Sequence, residues 1–290
     1  NLTVGTTGNL GISVGAMGRA LGFEVTVHVS ADAKQWKKDY LRSRGVEVVE
    51  HVTNFSKAVE LGRAASEADP KSYFVDDEHS KELFLGYTAG GLRMKHQLEE
   101  DNIKVDEDHP LFVYLPCGIG GSPSGITFGL KHAFGDNVHC IFAEPTRMPS
   151  MVIGLSTELY DDISVEDIGL GGLTVADGLA VPRTSALVAR VMKNHFSGSY
   201  TVKDDTFKAL LTNLYEQEEI FLEPAAVAGL PGPFKLIGSK EGQAYLKEHN
   251  LLEKLENATH IAWGTGGSMV PEADVEAFVS EGMGKTIAKL

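Results

Sequence analysis

The 290-residue chain is 42% hydrophobic and 23% charged, a balance that buries a sizeable core as one large domain or two ordinary ones. With 26 Lys and Arg against 40 Asp and Glu, the net charge of −14 and the lack of a dense basic block argue against non-specific nucleic-acid binding. Cys117 and Cys140, far apart and without CxxC spacing, argue against a disulfide framework and a structural zinc site and fit a reducing cytoplasm.

In chain order, residues 2–4 read as the inside of a strand. Leu10, Val14, Met17 and Leu21 then mark one helix face, and Val25, Val27 and Val29 alternate with Glu24, Thr26 and His28 as in a half-buried strand. The rhythm continues with a helix over 33–44, a strand at 46–50, a helix over 56–68, a strand at 73–75 and a helix over 81–100. The uncharged stretch 1–18 is too rich in glycine and polar residues to read as a membrane span. An acidic, proline-bearing stretch (EEDNIKVDEDHP, 99–110) breaks the pattern, so the expected domains are 1–105, a small αβ domain, and 106–290, part of a larger one. The second series has strands at 111–115 and 138–143, a Gly-rich irregular stretch near 168–178, a helix over 205–217 and a last strand at 259–263. The expected class is α/β, with two open, twisted parallel sheets.

Glycine, 32 of 290 residues, concentrates at three strand ends. Gly5-Thr6-Thr7-Gly8-Asn9-Leu10-Gly11 is a turn into a helix, whose free amides attract an anion; on spacing alone it reads equally as a tight turn with Asn9 as N-cap. Cys117-Gly118-Ile119-Gly120-Gly121-Ser122-Pro123-Ser124-Gly125 offers a nest of donors suited to a phosphate monoester, without the GK[ST] of a P-loop. Cys117 reads as a small buried residue rather than a nucleophile. Trp263-Gly264-Thr265-Gly266-Gly267-Ser268 closes the last strand, and turns at carboxyl ends of strands should converge on one crevice. His28 and His139 read as structural, and the scattered histidines give no metal-catalytic spacing.

GTTGNLG, PCGIGGSPSG, AEPT (143–146), ADGLAV (176–181), LEPAA (222–226) and WGTGGSMVPE (263–272) resemble, in order and along nearly the whole chain, the fold-type II pyridoxal-phosphate family that includes tryptophan synthase β and threonine dehydratase. FVDDEHSKELFLGY (74–87) is similar to its D-serine dehydratase branch. The resemblance implies pyridoxal 5'-phosphate as cofactor. It assigns Asn9 to the cofactor's phenolic oxygen, the amides of Thr6, Thr7, Gly8 and Asn9 to the substrate carboxylate, Gly118, Ile119, Gly120, Gly121 and Ser122 to the phosphate, and Thr265 to the pyridine nitrogen. Thr6 stands where the family usually has Ser. Glu144 matches a position that helps build a cation site in relatives, here expected to take a monovalent ion. Asp77 is implied near the substrate, although from the residues alone it reads as part of a solvated acidic turn. The implied reaction is β-elimination of D-serine to pyruvate and ammonia.

Family members carry a Schiff-base lysine in an SxxxK-type motif before the GNLG loop, and the chain shows no such segment. Lys34, Lys37 and Lys38 read instead as solvated charges on a surface helix. The expectation is a piece of a longer polypeptide, inactive alone and active only if a missing N-terminal segment is present as a partner. Two other readings stay open. A nicotinamide-dependent oxidoreductase would use Asp32, 21 residues after Gly11, and a non-catalytic module would bind a phosphate ester without chemistry.

Overall fold

The computed structural model describes every residue except Thr7, Asp32, Thr53, Asn54 and 286–290, and only the backbone of Phe55 and Ser56. Two compact units divide it, Asn1–Ser80 and Lys81–Leu290.

The first unit runs β1 (Leu2–Gly5), α1 (Asn9–Ala20), β2 (Val25–Ser30), α2 (Gln35–Ser43), β3 (Glu47–His51), α3 (Phe55–Glu67) and β4 (Tyr73–Phe74). Its strands are parallel in the order β3-β2-β1-β4. The chain steps outward from β1 to β3 and returns past β1 to β4, so the winding reverses between β1 and β4.

β2 is buried on both faces, not one. Val25, Val27 and Val29 enter a core with Val4, Leu41 and Val46. The polar face is closed by hydrogen bonds, Thr26 Oγ1 to Glu47 (3.1 Å) and His28 Nδ1 to His51 Nε2 (2.9 Å), and by Gly62 of α3, where a Cβ would lie 2.9 Å from the His28 ring. α1 also departs from the expected stripe. Leu10 and Val14 pack on the core, but Met17 and Leu21 are exposed, and the buried positions are Gly11, Ile12, Gly15 and Gly18. A Cβ at Gly15 would lie 2.6 Å from Leu41 Cδ2, so the helix presses its bare backbone on the core.

In α2, Lys37 and Lys38 are buried rather than solvated, while Lys34 is half-buried at the N-cap. The Lys38 ammonium donates to Ala31 O (3.2 Å) and pairs with Glu50 (2.9 Å), and Lys37 Nζ sits 5.5 Å from the Trp36 ring centroid. Long apolar stems bury readily when the charged head finds partners.

The second unit opens with α4 (Lys81–Glu100) and continues β5 (Leu111–Pro116), α5 (Gly121–Phe134), β6 (Val138–Pro145), α6 (Ser150–Thr157), α7 (Ala186–Met192), β7 (Gly198–Val202), α8 (Asp204–Glu218), α9 (Gly232–Gly238), α10 (Lys240–Glu248), β8 (Thr259–Ala262) and α11 (Glu272–Gly282). Its parallel order, β7-β6-β5-β8, repeats the first sheet's pattern and reverses between β5 and β8. β7 is an element the sequence reading lacks.

The unit changes at Ser80/Lys81, earlier than the expected crossing at 105, because α4 packs on α5. Cβ atoms at Gly91 and Gly125 would lie 2.7 Å from Ile126 O and 2.5 Å from Phe84 O, so the two helices meet backbone to backbone. The acidic stretch 99–110 is thus a loop within the second unit, tied by Asp106 to Lys104 (2.5 Å) and His109 (2.7 Å). β5 and β6 are fully buried, with Leu111, Val113, Leu115, Cys140 and Phe142 in one core and Phe112, Tyr114 and Ile141 in another. Among the described residues no helix is long and apolar enough to cross a membrane.

Phe112 is stacked between its cross-strand neighbours His139 and His260, with centroids 4.9 and 5.0 Å away. His139 bonds Tyr245 OH (2.7 Å), and burial, helped by Lys131 and His249, pushes its pKa down to about 4. The unfolded chain keeps the ordinary value near 6.5 and therefore binds the proton better. Stability is unaffected above pH 6.5 and is lost as pH falls toward 4, by about 3 kcal/mol from this group. Burial lowers His260 in the same direction. Urea unfolding at neutral and acidic pH should show this loss, and His139→Gln should flatten it; an equal acid loss in the variant would contradict the assignment.

Candidate active site

In open parallel sheets the place to bind a ligand is outside the carboxyl ends of the strands where the winding reverses. Each unit has its candidate residues there.

In the first unit, β1 leads through Thr6 and Gly8 into α1. The Thr6 amide donates to His28 O (2.9 Å), and its buried Oγ1 accepts the Gly8 amide (3.1 Å), so the side chain closes the turn from inside. Thr7 lies outside the described residues. The N-cap is Gly8, not Asn9, so the N-cap residue offers no side chain to the first turn, a helix entrance of the kind that attracts an anion. Asn9 is exposed at the helix start. From the neighbouring β4 the chain continues through Val75, whose amide donates to Thr3 O (2.7 Å), into Asp76, Asp77 and Glu78. This turn is braced rather than simply solvated, since Arg63 of α3 bridges Asp76 and Glu78. Burial, with Glu78 and Asp76 close by, pushes the Asp77 carboxyl up to about 7 against the pull of Arg63. Asp76, Glu78 and His79 are the one group of three potential metal ligands among the described residues.

In the second unit, β5 leads through Gly118, Ile119 and Gly120 into Gly121 and Ser122 at the start of α5. Gly120 takes φ +106°, left-handed space that an L side chain rarely adopts, and as the N-cap it offers no side chain to the helix; among the described residues no other side chain caps it. The loop is anchored from behind through a backbone carbonyl: Ile119 O accepts Thr184 Oγ1 (3.0 Å) and the Ser185 amide (3.0 Å). A Cβ at Gly120 would lie 2.3 Å from Met151 Cε, and one at Gly118 3.2 Å from Val181 Cγ2. Bare backbone is therefore packed on one side, with uncapped amides at the helix entrance, a cradle that fits a phosphate monoester.

β8 pairs with β5, so Thr265, exposed in the loop after it, belongs to the same end of the sheet. That loop is held at Gly266 O by the Glu223 amide (3.1 Å), and a Cβ at Gly267 (φ +142°) would lie 2.8 Å from Leu222 Cα. The LEPAA motif thus supports the loop bearing Thr265. The uncharged hydroxyl there suits a neutral ring nitrogen, so these donors fit pyridoxal phosphate in kind.

Glu144, at the end of β6, is wholly buried. Its carboxylate accepts the Met151 (2.8 Å) and Val152 (3.1 Å) amides of α6 and the Ser199 hydroxyl (3.2 Å). Burial pushes it up to about 8 against these three donors. Its role in the structure is to cap α6. Cys117 is fully buried, its thiol raised well above the usual range by burial and by Glu144, which matches an inert core residue. Asp32, on which the nicotinamide reading relies, lies outside the described residues. Thr184, Ser185 and Arg63 escaped the sequence reading, because each acts on residues distant in the chain or through a neighbour.

Comparison with known proteins agrees with this geometry. The chain is 58% identical, over 98% of its length, to a probable D-serine dehydratase of Geobacillus kaustophilus (strain HTA426), of which it covers 64%. It is 58% identical over 97% to one of Halalkalibacterium halodurans, of which it covers 63%. It therefore spans less than two thirds of the length of these relatives. Among solved structures, the processed threonine deaminase isoform 2 of Solanum lycopersicum shares the fold at TM-score 0.69 and 22% identity, over 98% of this chain and 73% of that one. Holo diaminopropionate ammonia lyase of Escherichia coli does so at TM-score 0.76 and 17% identity, over 99% and 70%. With the model of pyridoxal-phosphate dependent enzymes matching residues 1–244, and glycine cradles at the reversal points of both sheets, the chain belongs to the pyridoxal-phosphate dependent enzyme family.

Proposed function

We propose that this chain is the substrate-binding and phosphate-binding part of an enzyme that dehydrates and deaminates D-serine to pyruvate and ammonia. The observation that carries the reading is the uncapped, glycine-packed entrance of α5 at the β5/β8 reversal. The choice of D-serine rests on the relatives' name at 58% identity.

In this reading the amides of Gly118, Ile119, Gly120, Gly121 and Ser122 hold the cofactor phosphate, and Thr265 faces the pyridine nitrogen. Bound pyridoxal phosphate supplies an electron sink for the α-carbon, and a hydroxyl rather than a carboxylate beside its nitrogen keeps that sink weak, which suits β-elimination. Asn9 bonds the phenolic oxygen, and the 6–9 loop holds the substrate carboxylate through groups other than the Thr6 and Gly8 amides, which the structure commits to His28 O and Thr6 Oγ1. Asp77, whose carboxyl burial pushes up to about 7, bonds the substrate. The Schiff-base lysine is assigned to polypeptide outside these 290 residues, so the chain by itself is inactive. We propose in addition a monovalent cation beside Glu144. The buried free thiols of Cys117 and Cys140 fit a cytoplasmic setting.

The test is pyruvate release from D-serine and from L-serine by the chain alone and with a polypeptide supplying the lysine segment. Turnover of D-serine only in the combination is expected. Preference for L-serine would remove the stereochemical assignment, and phosphate-ester binding without turnover in either case would favour a non-catalytic module.

A further inference from the structure

The turn after β4 is built around Asp76 and Arg63. Asp76 Oδ1 accepts the amides of Glu78 (2.9 Å) and His79 (3.3 Å), which folds the backbone into an Asx turn. The other carboxylate oxygen binds Arg63 Nη1, and Arg63 Nη2 reaches Glu78 Oε2 at 3.0 Å. The guanidinium carbon lies 5.3 Å from the centroid of Phe74, the last residue of β4. One planar group on α3 thus grips the residues on both sides of Asp77, and among the described residues it makes no ion pair with Asp77 itself. His79 Nδ1 adds contacts to Asp76 (3.4 Å) and Glu78 (3.9 Å).

We propose that Arg63 is a positioning residue: by clamping Asp76 and Glu78 to α3 it holds Asp77 in one orientation, without a salt bridge of its own, at the β1/β4 end of the sheet. This rests on the reading that substrate binds there. The fork of a guanidinium, not a point charge, is what allows one side chain to serve two carboxylates in fixed directions. The charged groups that face Asp77 within its unit are Glu78 and Asp76, which favour its protonated form, and Arg63, which opposes it.

The test is NMR of the 290-residue chain, reading the amide signals of residues 76–79 and the side-chain rotamer of Asp77 from its couplings, with the Asp77 signals identified by Asp77→Asn. Arg63→Gln frees two carboxylates, so the Glu78 and His79 amides should move and Asp77 should pass from one rotamer to an average of several. Arg63→Lys keeps the charge but not the fork and should restore the parent signals only in part. A folded Arg63→Gln with the 76–79 amides and the Asp77 rotamer unmoved would overturn the proposal. If Arg63→Gln does not fold, unmoved Asp77, Glu78 and His79 signals in Arg63→Lys would overturn it equally. With the lysine segment supplied, Arg63→Lys should raise KM for D-serine more than it lowers kcat. Full D-serine turnover by Asp77→Asn would instead remove the substrate role of Asp77 and leave the clamp standing, so the two failures are distinguishable.

Discussion

Gly120→Val is expected to destabilise the chain by about 2 to 5 kcal/mol and to weaken pyridoxal phosphate binding by roughly 30-fold. Two costs add. A side chain at φ +106° pays about 1 to 2 kcal/mol for left-handed backbone, and a crowded core costs about 1 to 3 kcal/mol more. The Cβ would meet Met151 Cε at 2.3 Å and Val188 Cγ2 at 3.0 Å. Met151 is flexible, but its sulfur lies 3.4 Å from Thr184 Oγ1, whose one hydroxyl proton goes to Ile119 O, so a shift of Met151 presses on the loop anchor. Losing one charge-assisted amide contact to the phosphate, about 2 kcal/mol, gives the 30-fold change. Gly118→Ala, whose Cβ would meet only 3.2 to 3.3 Å contacts and whose φ is not left-handed, should cost about 1 kcal/mol. Urea unfolding and equilibrium binding check both values, and equal costs at the two glycines would contradict the account of the loop.

Glu144→Leu is expected to cost about 3 to 5 kcal/mol, because it strands the Met151 and Val152 amides and the Ser199 hydroxyl around a wholly buried position. Glu144→Gln, which keeps one carbonyl acceptor, should lose less than Glu144→Leu. The same pair of variants separates the cap from a cation site. If capping is the whole role, the melting temperature of the parent chain is the same in potassium and tetramethylammonium salts. A rise in potassium that vanishes in Glu144→Gln would establish the cation.

Much of this architecture is legible in the sequence because a parallel sheet buries continuous apolar runs, and 111–115 and 138–143 are such runs. α4 is also readable end to end. Misreadings arose where tertiary packing overrides local pattern. Thr26 and His28 look like a solvated face, yet both are buried, Gly62 of α3 packs on the His28 ring, and hydrogen bonds satisfy them. Leu10, Val14, Met17 and Leu21 mark the expected face of α1, yet its buried positions are Gly11, Ile12, Gly15 and Gly18. β7, Gly198-Ser199-Tyr200-Thr201-Val202, is short and polar enough to hide, because it is an edge strand.

The site shows the same division. The glycine loops announce themselves, since tight turns at strand ends need glycine. Their supports do not: Thr184 acts on Ile119 across 65 residues, and no local pattern marks it. Lys37 and Lys38 show the converse, charges whose burial depends on Trp36, Ala31 and Glu50.

The most direct test of the central claim is an amide NMR titration of the 290-residue chain with pyridoxal phosphate, with pyridoxal as the control. The amides of Gly118, Ile119, Gly120, Gly121 and Ser122 should shift with the phosphorylated compound and stay in place with pyridoxal. Shifts of equal size with both compounds, or shifts confined to residues elsewhere, would contradict the assignment of the α5 entrance as the phosphate cradle.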